Sequence, residues 1–224
     1  MENAKINWEQ WRRWVGQGAE TLGIDIEYYK IRRLEAFAKE LLEANRTVNL
    51  TSVADPLEIA ENLMLDSMMP GKFINKGANV LDLGTGGGIP GIPLKIAFPD
   101  FEMTLIDGRR KRINFVRYVI RQLGLKQSAA RHARAEELAR ETERFDVVVS
   151  RAVSSMPELI RLASPLLTKG GMLMAMKGRG VESELDAAGF TENGERNRLR
   201  VSLENYRLPE LEIDRVLVMA EYET

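Results

Sequence analysis

The chain of 224 residues contains no cysteine and only one histidine, His132. Without cysteine there is no disulfide and no thiolate metal site, which is compatible with a reducing cytosol, and we expect a cytoplasmic protein. A single histidine excludes a histidine-cluster metal site, so no metal is predicted, and His132 is interpreted as a solvated residue after a short strand. No apolar run approaches the roughly 18 residues needed to span a bilayer, and no signal peptide or membrane association is expected.

The chain also lacks a large net charge. Its formal value is −1, so the overall charge does not indicate a nucleic-acid-binding protein. Between Arg109 and Arg121, however, six basic residues occur without an acid. Such a run is often only the solvated face of a helix, but this one starts two residues after a candidate cofactor ligand, Asp107, and we interpret it as a phosphate-contacting surface. The six residues are Arg109, Arg110, Lys111, Arg112, Arg117 and Arg121.

The most informative segment is a buried strand that runs into a glycine-rich turn and then opens a helix, Val80-Leu81-Asp82-Leu83-Gly84-Thr85-Gly86-Gly87-Gly88-Ile89. Glycine is favoured where the backbone takes a positive φ or where a ligand approaches it closely. A second acid, Asp107, ends the next apolar run, at the position that faces the ribose in a βαβ unit. Together the turn and Asp107 predict a site for an adenosine-containing cofactor.

The details of the turn favour S-adenosylmethionine (SAM), whose product after methyl transfer is S-adenosylhomocysteine. Ile89 stands where a dinucleotide fingerprint has its third glycine. An acid two residues before the first glycine, here Asp82, is common in SAM sites. An NAD-type site and an ordinary structural turn are the alternatives that the turn leaves open.

Apolar periodicity predicts helices over about the first 70 residues and a β–α alternation after residue 78. Trp8, Trp11 and Val15 lie at helical spacing and are interpreted as packing anchors. Another helix is predicted over 26–44, and a third starts at the Asp55 N-cap and ends before Pro70. Strands are predicted near 79–83, 102–107, 127–131, 145–150 and 171–177, and helices near 89–98, 109–123, 134–140 and 155–167.

Two β-like runs near the end, 199–203 and 215–220, predict an antiparallel hairpin. The predicted fold is therefore α/β: a Rossmann-like SAM-dependent methyltransferase fold, with a mostly parallel seven-stranded sheet and a C-terminal antiparallel hairpin. We assign residues 1–70 to a helical extension packed on the core and 71–224 to the methyltransferase domain. A sheet covered on both faces leaves no long apolar face, so a monomer is expected.

Seven short segments between residues 49 and 178 form a collinear pattern. They are Asn49-Leu50-Thr51-Ser52-Val53, Leu65-Asp66-Ser67, the glycine turn through Pro90-Gly91, Lys111-Arg112, Arg134-Ala135-Glu136-Glu137-Leu138, Ser150-Arg151-Ala152 and Met176-Lys177-Gly178. In this order and spacing they resemble the bacterial small-subunit (16S) ribosomal RNA guanine-N7 methyltransferases, the RsmG (GidB) family. The length of the chain also fits that family.

The resemblance implies SAM as the cofactor, a guanine N7 as the methyl acceptor, and ribosomal RNA or the small ribosomal subunit as the partner. Asp107 would hold the ribose hydroxyls, and Ala135 and Glu136 would lie along the adenine. Arg151 would sit at the boundary between cofactor and substrate. The full set of implied cofactor-binding residues is Asp82, Gly84, Gly86, Ile89, Asp107, Ala135, Glu136 and Arg151. The residues implied to face the RNA are Asn49, Lys111, Arg112 and Lys177.

Simpler roles stay open for three of these residues. Glu136 is also a typical helix-start acid, Arg151 a typical strand-end ion-pair partner, and Lys177 a typical solvated strand end. The chain departs from the family in two places: Asn62-Leu63 stands where Arg-His is usual, and Val216 stands where the last strand commonly has a basic residue or histidine. Both departures remove polar groups from the substrate side and leave the cofactor side intact.

Methylation at guanine N7 needs no general base, because N7 already carries a lone pair in the plane of the ring. The sequence offers no obvious base, and Arg151 is the predicted catalytic residue, in a substrate-positioning role. Three other hypotheses compete with this one: a SAM methyltransferase for another RNA, a small molecule or a protein; a non-catalytic ribosome-binding paralogue that retains SAM; and an NAD oxidoreductase.

Overall fold

The computed structural model describes residues 6–151, 154–187, 189–190, 195–196 and 199–222. Its centre is one sheet in the order β3-β2-β1-β4-β5-β8-β7-β6. The strands are β1 (Asn79–Leu83), β2 (Glu102–Asp107), β3 (Ser128–His132), β4 (Phe145–Arg151), β5 (Leu167–Gly178), β6 (Glu195–Arg196), β7 (Leu199–Arg207) and β8 (Asp214–Tyr222). Strands β1 to β5 are parallel, and β8 lies antiparallel between β5 and β7. The predicted fold is confirmed, and the two-residue β6 extends its edge.

The order of the strands reverses between β1 and β4, which places a crevice at the carboxyl ends of the central strands. The helices that follow β1 to β5 begin at this same edge, because each of these parallel strands ends there. They are α5 (Gly91–Ala97), α6 (Arg110–Gln122), α7 (Ala135–Leu138), α8 (Met156–Ala163) and α9 (Val181–Ala187).

Both faces of the sheet are buried, as near-continuous apolar strands require. One apolar cluster packs the N-terminal helices, α5 and α6 against one face, with Phe37 and Ile113 fully buried. A second cluster packs α7, α8 and α9 against the other face around Phe145. Among the residues that the structure describes, no helix is both long and apolar enough to cross a bilayer.

Two N-terminal helices, α1 (Trp8–Thr21) and α2 (Tyr28–Val48), precede the sheet. The Asn7 side chain caps α1 by accepting hydrogen bonds from two backbone N–H groups of the first turn. Trp11 is fully buried, in agreement with its predicted role as a packing anchor. Helix α2 runs beyond the predicted end at residue 44 and stops at Asn49, whose left-handed φ of 52° ends the helix.

The helix predicted from Asp55 to before Pro70 is composite. Asp55 caps it as predicted, accepting from the N–H groups of the first turn. It comprises α3 (Pro56–Glu58), a π-helical segment (Ile59–Leu65), α4 (Asp66–Met68) and a 3₁₀ segment (Met69–Phe73). Every residue of the π-helical segment is buried, so its sequence has no polar face from which a helical period can be read.

Other boundaries also differ from the prediction. Helix α8 stops at Ala163, and a 3₁₀ turn over Ser164–Leu166 follows, because Pro165 has no N–H group to continue the hydrogen bonds of the helix. Strand β5 then begins at Leu167, before the predicted start at residue 171, and pairs with β4 through a shift of register. Helix α5 begins at Gly91, after the turn, and not at residue 89.

Candidate cofactor and substrate site

The glycine-rich turn joins β1 to α5 at the point where the strand order reverses. Gly84, Gly86 and Gly88 have φ values of 76°, 56° and 90°, which residues with side chains rarely adopt. A Cβ atom on Gly88 would lie 2.7 Å from Ile92 Cγ1. The path of this turn therefore depends on glycine, as the sequence predicts.

Asp82 holds the turn from beneath and does not line the cavity above it. Its Oδ2 accepts hydrogen bonds from Thr85 Oγ1 at 2.5 Å and from Gly91 N–H at 2.8 Å. Its Oδ1 is buried and has no hydrogen-bond partner among the described residues. Burial raises the pKa of the Asp82 carboxyl to about 7. The resemblance implies that Asp82 binds the cofactor, whereas the structure gives it contacts only with the turn that would do so.

Asp107 ends β2 and faces the same turn from the neighbouring strand. Its Oδ2 accepts from Gly86 N–H at 3.1 Å, and its Oδ1 accepts from Arg109 N–H at 2.7 Å. Arg112 Nη1 lies 3.4 Å from Oδ2. These contacts fix the carboxylate between the turn and the start of α6, which is the position that faces a ribose in a βαβ unit.

A cavity of about 1070 Å³ opens above the turn, at the carboxyl ends of β1 to β4. Nine of the twelve predicted site residues line it, and Asp82, Lys111 and Lys177 do not. The nine are Asn49, Gly84, Gly86, Ile89, Asp107, Arg112, Ala135, Glu136 and Arg151. The structure therefore brings together residues that are 102 positions apart in the sequence, from Asn49 to Arg151.

The loop over 49–53 covers one side of the cavity, and sequence reasoning identified only its first residue as part of the site. Asn45 at the end of α2 shapes this loop: its Oδ1 accepts from the N–H groups of Leu50 at 2.6 Å and Thr51 at 2.9 Å. Leu50 Cβ lies 3.1 Å from the position that a Cβ on Gly87 would take. The whole segment was one of the seven matching ones, and that signal could have identified the loop.

The start of α7 supplies the side of the cavity beyond β3. Ala135 is buried, and Glu136 is exposed in the first helical turn. Glu136 Oε1 lies 3.9 Å from Arg161 Nη2. Glu136 lies in the first turn of α7 and also lines the cavity, so its position is compatible with both of its predicted roles. His132 ends β3 as an exposed residue with Nε2 3.1 Å from the Gly108 carbonyl oxygen, in agreement with its predicted solvation.

The chemistry of the lining fits SAM. Leu83, Ile106 and Leu162 provide apolar surface for a flat base, and the Asp107 carboxylate provides acceptors for sugar hydroxyls. A Cβ on Gly86 would meet no atom closer than 3.8 Å, so the backbone of the turn lies open to a ligand.

Arg151 ends β4 at the rim of this cavity. Its Nη1 donates a short hydrogen bond to the backbone carbonyl of Asn62, in the π-helical segment. Its Nη2 lies 3.6 Å from Asp66 Oδ2. The side chain is 19% exposed, so part of the guanidinium faces the cavity. Ala152, which follows it in the matching segment, lies outside the described residues.

Asp66 is the buried centre of a polar network around Arg151. Its Oδ1 accepts a hydrogen bond of 2.5 Å from the Tyr206 hydroxyl, and Arg215 Nε lies 3.6 Å from its Oδ2. Burial raises the pKa of the Asp66 carboxyl, although the two arginines and the hydroxyl act in the opposite direction. Burial and the neighbouring carboxylate also raise the pKa of Tyr206, so its hydroxyl stays a donor.

The two departures from the family lie beside this network. Asn62 Oδ1 accepts a hydrogen bond of 2.7 Å from Arg215 Nη2, and Arg215 is the neighbour of Val216 in β8. A guanidinium from β8 therefore reaches the π-helical segment at the position where the family usually has its own basic side chain. Sequence reasoning missed Arg215, because its contact with Asn62 joins residues 153 positions apart.

The basic residues at the start of α6 point in different directions. Arg109, Arg110 and Lys111 are exposed at the start of the helix, whose first turn contains no acid. Arg112 instead turns towards Asp107 and the cavity. The three exposed cations therefore form an open surface beside the cavity, and one of them, Arg109, also lines the cavity.

Lys177, predicted to face the RNA, is mostly enclosed by protein. Its Nζ donates to the Ser154 carbonyl oxygen at 2.7 Å and lies 3.4 Å from Glu184 Oε2. Glu184 lies in α9 and Ser154 precedes α8, and neither residue lines the cavity.

Comparisons with known proteins give concordant findings. A family model described as "GidB: rRNA small subunit methyltransferase G" matches residues 30–201. The chain is 39% identical to a ribosomal RNA small subunit methyltransferase G of Lachnoclostridium phytofermentans over 207 residues, which cover 90% of this chain and 85% of that one. It is 40% identical to the protein of the same name from Geobacter sulfurreducens, over 88% of this chain and 91% of that one.

The fold is shared more widely. An O-methyltransferase from Bacillus cereus, solved with S-adenosylhomocysteine, superposes with a TM-score of 0.61 at 16% sequence identity. The superposition covers 96% of this chain and all of the other.

Proposed function

Because the chain belongs to the rRNA small subunit methyltransferase G family, we propose that it transfers a methyl group from SAM to N7 of a guanine in small-subunit ribosomal RNA. The observation that carries this proposal is the position of Arg151, partly exposed at the rim of the cofactor cavity and anchored on Asn62 and Asp66. SAM, when bound, supplies an electrophilic methyl group.

The cofactor side is assigned to residues that line the cavity. The Asp107 carboxylate, fixed by two backbone N–H groups, holds the ribose hydroxyls. The backbone at Gly84 and Gly86, together with Ile89, receives the methionine part and the ribose. Ala135 and Glu136 lie along the adenine. Asp82 supports this set from beneath by holding the turn.

The substrate side requires positioning and not proton removal. The N7 lone pair attacks without prior loss of a proton, so no general base is needed. Among the described residues that line the cavity, there is no histidine, cysteine, lysine or tyrosine. Arg151 can donate to guanine O6, the acceptor next to N7, and so hold N7 within about 3–3.5 Å of the methyl group.

The exposed cations at the start of α6 support an RNA substrate. A helix N-terminus favours negative charge, so Arg109, Arg110 and Lys111 occupy an unfavourable place in the free protein. Phosphate groups would relieve that repulsion. This surface lies next to the cavity, because Arg109 lines the cavity and its N–H bonds to Asp107.

We also infer a monomer that acts in the cytoplasm on ribosomal RNA or the small ribosomal subunit. One chain supplies the turn, Asp107, Arg151 and the covering loop. The helical extension over 1–70 belongs to the same active unit, since the loop over 49–53 closes the cavity of the methyltransferase domain over 71–224.

Transfer of a tritiated methyl group from SAM to small subunits that lack their native modifications tests this proposal. Label that maps to a guanine N7 supports it, and label on another atom or another RNA contradicts the target. No label, with SAM binding retained in calorimetry, contradicts the enzymatic function and favours a non-catalytic, SAM-retaining protein. A melting temperature raised by NAD and not by SAM would overturn the assignment of SAM as the cofactor.

A further inference from the structure

A second cavity, of about 410 Å³, lies where β5 and β7 end and β8 begins. Three arginines line it, Arg179, Arg207 and Arg215, together with the acids Glu182 and Asp214. Arg179 and Arg207 are exposed and form ion pairs with Asp214. Arg215 is the most enclosed of the three arginines, with 22% of its side chain exposed.

One carboxylate joins this second cavity to the first. Asp66 Oδ2 lies 3.6 Å from Arg151 Nη2, which lines the first cavity, and 3.6 Å from Arg215 Nε, which lines the second. The two nitrogen atoms are therefore no more than about 7 Å apart. One nucleotide unit of an RNA chain spans such a distance, so a single strand can contact both guanidinium groups.

The charges of this network do not balance. Two guanidinium groups share the single carboxylate of Asp66, and the Asn62 oxygen that accepts from Arg215 is a neutral amide. One positive charge is thus left on partly buried groups, where an unbalanced charge is costly. A bound anion at the open side of Arg215 would balance it.

Resting on the proposed function, we propose that the second cavity is a further substrate subsite, in which Arg215 binds a backbone phosphate of a nucleotide next to the target guanine. The planar guanidinium fork matches two phosphate oxygens at once. Asp66 and Tyr206 orient Arg215 from within, as positioning residues. The subsite fixes the position of the RNA strand along the protein, while Arg151 faces the base to be methylated.

The test compares Arg215→Gln with Arg131→Gln, which removes a cation paired to Glu141 and Glu143 at the far edge of the sheet. Binding to the small subunit is measured over a range of salt concentrations, and methyl transfer is measured beside it. For Arg215→Gln we expect the slope of log K against log salt to become shallower by about 0.7–0.9, the value of one phosphate contact. We expect its KM for the subunit to rise at least tenfold, with SAM affinity unchanged; Arg131→Gln should match the wild type.

Tyr206→Phe separates binding from structure, because it disturbs Asp66 without removing a charge. Because Tyr206 orients Arg215 only through Asp66, and Arg215 keeps its charge, the salt slope of Tyr206→Phe should lie closer to that of the wild type than to that of Arg215→Gln. A slope reduced as much as in Arg215→Gln would mean that the loss follows the disturbed network and not the missing charge, and would overturn the phosphate contact. Arg215→Lys should keep the slope and lose part of the affinity, and it serves as the folded comparison if Arg215→Gln is unstable.

The two proposals fail in different ways. Equal slopes for the wild type and Arg215→Gln overturn the subsite, even if the wild type methylates the subunit. Binding without methyl transfer contradicts the proposed function. The salt slopes of the wild type and Arg215→Gln still show in that case whether Arg215 contacts a phosphate. A wild-type chain that does not bind the subunit overturns both.

Discussion

The guanidinium of Arg151 donates a hydrogen bond to the backbone carbonyl of Asn62, 89 residues earlier in the chain. This contact ties the end of β4 to the π-helical segment. Because the acceptor is a backbone atom, the anchor does not depend on which side chain stands at position 62. The departure from the family at this position is therefore compatible with a correctly placed Arg151.

Arg151→Ala should impair methyl transfer far more than SAM binding. Loss of the guanidinium removes the donor that we propose holds the target base, and we expect kcat/KM to fall by about 100-fold, or ~2.7 kcal/mol. The SAM dissociation constant, measured by calorimetry, should change by less than about threefold, which corresponds to ~0.7 kcal/mol. Equal losses of transfer and of SAM affinity would show that Arg151 serves the cofactor alone.

Asp107→Ala should weaken SAM binding by about 10- to 100-fold, since hydrogen bonds to a charged group are worth ~1.5–3 kcal/mol. The substitution also removes the acceptor of Gly86 N–H. Asp107→Asn retains an acceptor and should be intermediate. Asp100→Ala, an exposed acid before the start of β2, is the control. Unchanged SAM affinity in Asp107→Ala would remove the ribose assignment.

Asp82→Asn should change how stability depends on pH. Burial raises the pKa of Asp82 from its ordinary 3.8 to about 7, so the folded state favours the protonated carboxyl. Its contribution to stability is therefore fully present below pH 4 and is lost as the pH rises through 7. Asparagine does not titrate and can still accept hydrogen bonds from Thr85 and Gly91.

Urea unfolding without SAM, between pH 5 and pH 8, measures this effect. The free energy of unfolding of Asp82→Asn, relative to the wild type, should rise across that range by up to about 2.7 kcal/mol. Asp100→Asn should show no such trend. A difference that stays constant with pH would mean that Asp82 is ionised in the folded protein throughout.

Replacing Arg109, Arg110 and Lys111 together with glutamine should weaken RNA binding without harming the fold. If all three contact phosphates, the slope of log K against log salt should become shallower by about 2.1–2.7. Removing cations from a helix N-terminus should raise the free energy of unfolding by about 0.3–1 kcal/mol per residue at low salt. Lys126→Gln, after the end of α6, is the control. An unchanged salt slope in the triple variant would mean that the RNA does not contact the start of α6.

The parts of the fold that could be predicted are those whose determinants are contiguous. The strand β1, the glycine turn and Asp107 each depend on a few neighbouring residues, and the structure places them as expected. The composite helix could not be predicted in detail, because all residues of its π-helical segment are buried. The early start of β5 at Leu167 depends on pairing with Phe145, which a local pattern does not contain.

The substrate side was harder to predict than the cofactor side for a physical reason. Asp66 meets Tyr206 across 140 residues, and no local period records such a contact. Lys177 was identified correctly as a strand-end residue, but the direction of its ammonium group is decided by Glu184 on α9. Sequence patterns locate a side chain on an element and leave its partner undetermined.

The position of β8 between β5 and β7 also orders events during synthesis. A nascent chain emerges from its amino end, so every residue that lines the cofactor cavity, up to Leu162, is made before β8. Until Asp214–Tyr222 follows, β5 has an unpaired outer edge with the apolar run Met172 to Met176. Open apolar edges pair readily with other strands. The edge of β5 is therefore open to mispairing until β8 has been synthesised, although all the residues that line the cofactor cavity have been made by then.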